Sequence, residues 1–355
     1  LYLTRKRAEA YLQTELDTIV LGRPVRYSDD ATHNELARER LLQAAFRAGY
    51  KTVYLQHEPV AAAHYYETFI EREQNVLIFD FGGGTLDISI LRLGNARTRR
   101  VLASGGIPIA GDVFDQKIVR ALLPPHLGEG ETYRAGSDDL PIPSSFYDAF
   151  SNWQDLLALQ RRDRLEALER IERTARSPRK IHMLRQLIQS NYGIKLFDIA
   201  ETGKRTLSSA AQASLLFNGP GFTIHEMLTR TAFERLIRSD VRAITQRLDD
   251  VVRAAGLRDD QIDAVIRTGG SSQIPAFIQL LELRFGADKV RDIDTFSSVT
   301  AGLGVIAHQV EQGDLSLTAH TRADHRDPDY LLSKKQGGIP VVDFDLLKRL
   351  INLKE

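Results

Sequence analysis

Apolar and polar positions along the N-terminal part of the chain fall into blocks that switch between helical and strand-like spacing. Residues 1–16 (LYLTRKRAEAYLQTEL) carry a helical pattern, and 17–25 (DTIVLGRPV) read as a short strand whose apolar part ends at Gly-Arg-Pro. A helix is predicted at about 33–49, stopped by Gly49. A strand follows at 51–56 (KTVYLQ), then a helix opened by Glu58-Pro59, where proline suits the first turn. Residues 75–81 and 85–93 read as two strands forming a hairpin around GGGT. Strands alternating with helices predict an α/β architecture.

Beyond Gly111 the pattern weakens, and 124–145, with four prolines among Gly, Ser and Asp, reads as a long surface excursion. Helical spacing returns from Trp153 to about Arg176, with Leu156, Leu157, Leu168 and Ile171 apolar; Ser177-Pro178 breaks it before a second helix at 180–191. Nine basic residues stand against four acidic ones between Gln160 and Arg185, which reads as a solvated helical hairpin or as a surface for an acidic partner. A helix at 199–209, a strand at 212–217 and a long helix at 229–255 come next. The apolar strand 263–268 (DAVIRT) then runs into Gly269-Gly270-Ser271-Ser272, and Ile274-Pro275 opens a helix to Phe285. Residues 299–309 form a helix rich in small side chains; past Gly313 the tail reads as polar and irregular until the apolar run after Gly338.

A length of 355 residues predicts two lobes, since single cores stop growing near about 250 residues. Forty-seven basic residues balance forty-seven acidic ones, so no global field argues for nucleic acid or an anionic membrane surface. The absence of cysteine excludes disulfides and thiolate metal sites and fits a reducing, cytoplasmic setting. No apolar run approaches the roughly 20 residues that cross a bilayer. The chain starts at Leu1 inside a helical pattern, which predicts a preceding segment.

The stretch FDFGGGTLDIS (79–89) carries the first candidate chemistry. A strand that delivers Asp80 into Gly82, Gly83, Gly84 and Thr85 presents bare backbone N–H groups, and phosphate is their natural guest. No Gly-Lys-Ser/Thr follows, so this is not a P-loop, and the glycines lack dinucleotide-fingerprint spacing. Taken alone, three glycines also make a plain tight turn. Asp80 and Asp87 flank them where a hydrated Mg²⁺ beside phosphates wants carboxylates. The second stretch, GGSSQIP (269–275), again follows an apolar strand and opens a helix, whose N-terminus favours a polar or anionic ligand. Two such loops predict two walls around one nucleotide.

These residues resemble the nucleotide-binding domain of Hsp70-type chaperones, within the actin and sugar-kinase superfamily. IFDFGGGTLDISIL is similar to that family's second phosphate motif, HEPVAAAHYY to its first connecting segment and GKRTLSSAAQAS to its adenosine-side helix. RTGGSSQIPAFIQLLELRFG resembles its adenosine loop and SVTAGLGVIA its second connecting helix, all in family order over about 17–120 and 199–309. The resemblance implies an actin-like ATPase fold with ribonuclease H-like lobes, the first incomplete, and a helical insertion in the second. It divides the chain into the remainder of lobe I (1–75), lobe II (76–310, insertion 124–192) and a tail (311–355). It implies ATP or ADP with Mg²⁺ as cofactors and a client protein or co-chaperone as partner, with neither nucleic acid nor membrane. Gly82, Gly83, Gly84 and Thr85 would hold the β- and γ-phosphates; Asp80, supported by Asp87, would face the metal; Glu58 would orient the attacking water. Glu201, Lys204, Arg205 and Ser208 would meet ribose and adenine, and Gly269, Gly270, Ser271 and Ile274 would close the pocket.

The departures are specific. Gln273 stands where the family has an arginine against the adenine face, which predicts weaker nucleotide binding. His57 replaces an asparagine before Glu-Pro and reads as structural, while Phe296-Ser297 replaces an acidic pair. The insertion and GRPVRY (22–27) point toward a divergent, YegD-like bacterial branch. The family's first phosphate loop, a metal-binding aspartate and its catalytic lysine precede the part represented here. The run VVDFDLL (341–347) is similar to the family's interdomain linker, or is a tail docking on the core. The expected function is therefore an ATPase whose hydrolysis opens and closes two lobes about Ala61, Ala62, Ala63, Ala301, Gly302 and Gly304. A nucleotide-binding scaffold without effective turnover and a small-molecule kinase of the same fold are the alternatives.

Overall fold

A computed structural model describes residues 1–28, 30–95, 98–219, 221–292 and 298–325. β1 (Thr18–Arg23) and β2 (Thr52–His57) pair in parallel around the intervening helix Ala31–Arg47. Leu42, Ala45 and Phe46 of that helix bury against Val53 and Tyr50 to make a small core of their own. Next come β3 (Gln74–Phe81), β4 (Leu86–Leu93) and β5 (Arg100–Ile107), a continuous antiparallel meander. Two hairpins follow, β6 (Thr132–Ala135) with β7 (Asp138–Pro141), and β8 (Gln212–Gly219) with β9 (Phe222–Thr229). β10 (Ala264–Thr268) and β11 (Val290–Asp292) then add in parallel beside β3, giving the sheet order β11-β10-β3-β4-β5. Three antiparallel strands with two later parallel strands against the first is the order of a ribonuclease H-like lobe. The last strand, β12 (Ala319–Thr321), returns to the first sheet, antiparallel to β2.

β3 is buried from Val76 onward because both faces of the sheet are covered, which is why its sequence reads as a near-continuous apolar run. Leu77, Phe79 and Phe81 enter the large core on one face. Val76 and Ile78 face the opposite way, where they meet Val60, Ala62, Ala63 and Tyr66 of the helix Glu58–Glu67. That helix packs against Ser298–Gln312. Their approach is so close that a Cβ on Gly302 would lie 1.8 Å from the Ala61 carbonyl oxygen. Gly304, in contrast, faces open space and takes no part in this contact.

Several expectations need correction. The region after Gly111 is ordered from the start: residues Gly111–Leu122 form a helix, with Phe114, Ile118 and Val119 on its buried face. Residues 124–145 are no surface excursion, since Leu127 and Ile142 enter the core beside Phe146 and Tyr147 and the β6–β7 hairpin lies within the segment. The helix expected from Trp153 to Arg176 breaks into Trp153–Ala158 and Arg162–Thr174. The predicted 229–255 helix is likewise two, Arg230–Leu236 and Arg238–Ala254, joined at buried Ile237. The adenosine-side helix starts earlier than expected, running Gly193–Ser209. β5, β9, β11 and β12 were not expected; β12 lies in a tail read as irregular. Within the insertion, Leu168 and Ile171 pack with Ile181, Leu184 and Leu187 of the following helix, so the hairpin is amphipathic rather than wholly solvated. Its cations are largely matched along the surface, as in Arg162–Glu166, Arg173–Glu169 and Arg185–Glu172. Phe296-Ser297 and the run 341–347 lie outside the described residues.

Candidate functional site: a cleft between two glycine loops

The parallel register of β3 and β10 places Asp80 opposite Thr268, so both glycine loops leave adjacent strands at the same, carboxyl end of the sheet. Open α/β sheets present their ligand sites at that end. An aromatic cluster locks the supports together. Phe81 at the end of β3 packs edge-on against Phe277 with centroids 4.8 Å apart, and Phe114 stacks on Phe277 at 5.9 Å. Each ring comes from a different element, the strand, the helix Gly111–Leu122 and the helix Pro275–Phe285. The loops that precede or follow these elements therefore converge.

The first loop turns its carbonyls inward. Gly82 O accepts from Gly111 N at 3.2 Å and from Ser271 Oγ at 2.6 Å, while Gly83 O accepts from Asp112 N at 2.8 Å. The backbone N–H groups of Gly83, Gly84 and Thr85 donate to no described residue. Three consecutive amides are thus left for an external acceptor. None of Gly82, Gly83 or Gly84 has positive φ, and a Cβ on Gly84 would meet nothing. Internal sterics do not require glycine at Gly84. Gly269 differs: it has φ 82°, and a Cβ there would lie 2.3 Å from Phe81 O, so its role is to let the two loops touch.

Gly82, Gly83, Glu201, Lys204, Arg205, Ser208, Gly270, Ser271 and Ile274 line one cavity of about 380 Å³, within the usual range for small-ligand sites. Residues of both walls therefore meet there, whereas Gly84, Thr85 and Gly269, also expected at the site, do not line it. Glu201, Lys204, Arg205 and Ser208 do so because spacings of three and four place them on one face of the helix Gly193–Ser209. Lys204 is not a surface cation: it is buried, and its Nζ donates to Asp115 Oδ2 at 2.7 Å and to Gly111 O at 2.9 Å. Arg205 is exposed and has no ion pair among the described residues. Gln273 also lines the cavity, with Nε2 donating to Asp292 Oδ2 at 2.8 Å, and Arg267 braces the loop from behind by donating to Ser272 O at 2.8 Å.

Asp80, Asp87 and Glu58 form a separate acidic group deeper at the strand ends. Asp80 and Asp87 face each other across the β3–β4 ladder. Burial, then the charges of Glu58 and Asp87, pushes the Asp80 carboxyl up to about 7, and its side chain has no hydrogen bond to a described residue. Burial also lifts Glu58 above its ordinary value. Asp87 rises to about 6 through burial, opposed by its hydrogen bonds. Its Oδ1 accepts from Val25 N at 2.9 Å and its Oδ2 from Thr85 Oγ1 at 3.0 Å. Asp87 is therefore engaged as a tie between β1's end and the hairpin. His57, at the N-terminus of the helix Glu58–Glu67, is driven down to about 4 by burial and then by the charge of Arg23.

A divalent cation suits Asp80, whose carboxylate is otherwise unpartnered and repelled by two neighbours; one or two carboxylates completed by water and phosphate is how Mg²⁺ is usually held. No group of three or more His, Asp or Glu among the described residues is arranged to hold a metal by itself.

Sequence reasoning missed Gly111, Asp112 and Asp115. Asp112 lines the cavity. A Cβ on Gly111 would approach Ser271 Oγ to 2.8 Å and Lys204 Nζ to 2.9 Å, so this glycine permits the closure of the loops. The helical spacing of Phe114 and Ile118, just after an Ala-Gly pair, was the available signal.

The lobe topology, the two glycine loops and the paired helices beneath them define an actin-like ATPase fold. The family described as Hsp70 protein matches residues 1–126 and 180–320. The chain belongs to the Hsp70 family and carries its nucleotide-binding domain. The match pauses over 127–179, which contains the β6–β7 hairpin and the helix Arg162–Thr174. No helix among the described residues is long and apolar enough to cross a membrane.

Proposed function

We propose that this domain binds ATP in the cleft between Gly82–Thr85 and Gly269–Ile274, and that the complete protein hydrolyses it to drive lobe movement in an Hsp70-like chaperone of a YegD-like branch. The observation that carries the reading is the run of unused amides at Gly83, Gly84 and Thr85, whose neighbouring carbonyls are already held by Gly111, Asp112 and Ser271. Free backbone amides in a turn suit anionic oxygen, and Gly82 and Gly83 of this loop line the same cavity as a helix face bearing Glu201, Arg205 and Ser208, where ribose and a base would lie.

In this reading the Gly83, Gly84 and Thr85 amides orient the terminal phosphates, and Glu58 positions the water that attacks the γ-phosphorus as the bond to the β-phosphate oxygen breaks. Mg²⁺, when bound at Asp80, would neutralise phosphate charge; Asp87 would keep Thr85 and the end of β1 in place. Phosphoryl transfer depends mainly on positioning and charge neutralisation. The close crossing at Ala61 and Gly302 supplies a rigid contact about which two lobes can turn. A client protein or co-chaperone would read the resulting movement.

A scaffold that holds nucleotide without effective turnover is the second reading. It is favoured by Gln273, whose amide is tied to Asp292 where the family's stacking cation would stand. Calorimetry with Mg-ATP and Mg-ADP, followed by single-turnover hydrolysis on the full-length protein, separates the readings. Binding with turnover that Asp80→Ala abolishes supports the ATPase, and binding without turnover supports the scaffold. Phosphate transfer to a sugar or acid acceptor would point to a kinase, while absence of binding overturns every nucleotide reading.

A further inference from the structure

Next to the nucleotide cleft lies a second cavity, of about 480 Å³, between the helix Gly193–Ser209 and the insertion at Asn152–Gln154. The same helix face lines both. Its residues 204, 205 and 208 face the cleft, Glu201 stands on the partition, and Ile194, Phe197 and Asp198, one and two turns earlier, face the second cavity. Asp112 shares the partition. The wall thus carries four carboxylates, those of Asp112, Asp115, Asp198 and Glu201, and no lysine or arginine lines it. Lys204 pairs with Asp115 and its charge also reaches Asp112; Asp112, Asp198 and Glu201 form no ion pair among the described residues.

Charge of one sign is not by itself a site. Asp115 supplies the independent sign of a missing partner: its side chain is 8% exposed, it lines the cavity, and its Oδ1 is buried without any hydrogen bond although Oδ2 is taken by Lys204. An unmet buried carboxylate oxygen is costly, and a hydrogen-bond donor would relieve it. The lip is the opposite in character. Trp153 is 41% and Ile194 50% exposed, large apolar surfaces placed in water on the rim of a polar cavity. An aromatic face beside carboxylates attracts a cation on an aliphatic stem, which satisfies the indole and the acids together.

We infer that this cavity is a second ligand site, for a guanidinium or primary ammonium group carried on an aliphatic stem. The head sits among Asp115, Asp198 and Glu201, and the stem lies along Trp153 and Ile194. The shared chemistry has two sources, a free small amine or the arginine or lysine side chain of a protein partner. Because the site is defined without reference to nucleotide, it stands or falls apart from the ATPase reading.

Trp153 is the chain's single tryptophan, so its fluorescence reads the lip of this cavity. Agmatine titrated into the nucleotide-free protein should give a saturable change, with its stoichiometry checked by calorimetry. Butylurea, a neutral analogue, should give none. Asp198→Asn, at an exposed position outside the cleft, should weaken agmatine binding about tenfold. A blocked Gly-Arg-Gly peptide that binds more tightly than agmatine assigns the site to a protein partner, and the reverse order assigns it to a free amine. Absence of saturation with both cations, an equal response to butylurea, or unchanged affinity in Asp198→Asn overturns the inference.

Discussion

The amide of Val25 donates to Asp87 Oδ1 over 2.9 Å, joining the chain just beyond β1 to a residue of β4. The other carboxylate oxygen holds Thr85 Oγ1, so one side chain fixes the glycine loop to the neighbouring sheet. Removing it strands the Val25 amide and frees the loop. Asp87→Ala should lower stability by about 1–3 kcal/mol, read as a shift of the urea midpoint. Asp87→Asn, which keeps one acceptor oxygen, should cost less.

The crossing of the two connecting helices gives an internal control. Gly302→Ala drives a methyl into the Ala61 carbonyl and should destabilise by about 1–3 kcal/mol through forced helix separation. Gly304→Ala, two residues on in the same helix and facing open space, should be neutral or stabilising by up to about 1 kcal/mol, because alanine is the better helix former. Thermal melts of both variants check the contrast.

Lys204 and Asp115 form a buried pair, 2.7 Å apart, under the cleft floor. Burial raises the Asp115 carboxyl, and Lys204 pulls it the other way. Lys204→Met leaves a buried carboxylate without its cation and should cost about 3–5 kcal/mol. Asp115→Leu added to it should recover most of that loss while leaving nucleotide binding impaired. Denaturant titration and calorimetry on the single and double variants separate the two roles.

His64 is 4% exposed within the helix Glu58–Glu67, and burial, then the nearby Arg99, lowers it to about 4. Its folded value lies below the unfolded one near 6.5, so the unfolded chain binds the proton first as pH falls. The stability it confers is complete above about 6.5 and is lost as pH falls toward 4. Asp80 and Asp87, with raised values, act in the opposite sense, so the test is a difference between proteins. His64→Gln should lessen the fall in unfolding free energy between pH 7 and 4.5 by on the order of 2 kcal/mol.

Gln273→Arg places a cation on the cavity wall that the proposed function assigns to the base. Nucleotide affinity should rise about fivefold, consistent with about 1 kcal/mol for a partly exposed cation–π contact, measured by calorimetry with Mg-ADP. Asp292, now bonded to Gln273, remains available to pair with the new guanidinium.

The hairpin around GGGT and the strand entering GGSSQIP were legible because glycine clusters after apolar runs leave few conformations open. β5 was not: its sequence RVLASGGI has two glycines and scant alternation, and pairing with β4 organises it. The helix Gly111–Leu122 was readable from Phe114, Ile118 and Val119, whereas β12 is three residues that become a strand only by lying against β2. The glycines also proved to serve different ends. Gly269 needs its positive φ and its contact with Phe81; Gly84 needs neither.

The sequence by itself determined the local vocabulary of this protein: two apolar strands ending in glycine loops, small residues on two helices, and acids flanking GGGT. These follow from periodicity and backbone freedom, which act over a few residues. Only the tertiary structure decided that Lys204 is buried against Asp115, that Asp87 holds Val25, and that one helix face serves two cavities. Those contacts join residues 89 and 62 positions apart in the first two cases, and their energies depend on burial and distance, which exist only once the chain has folded.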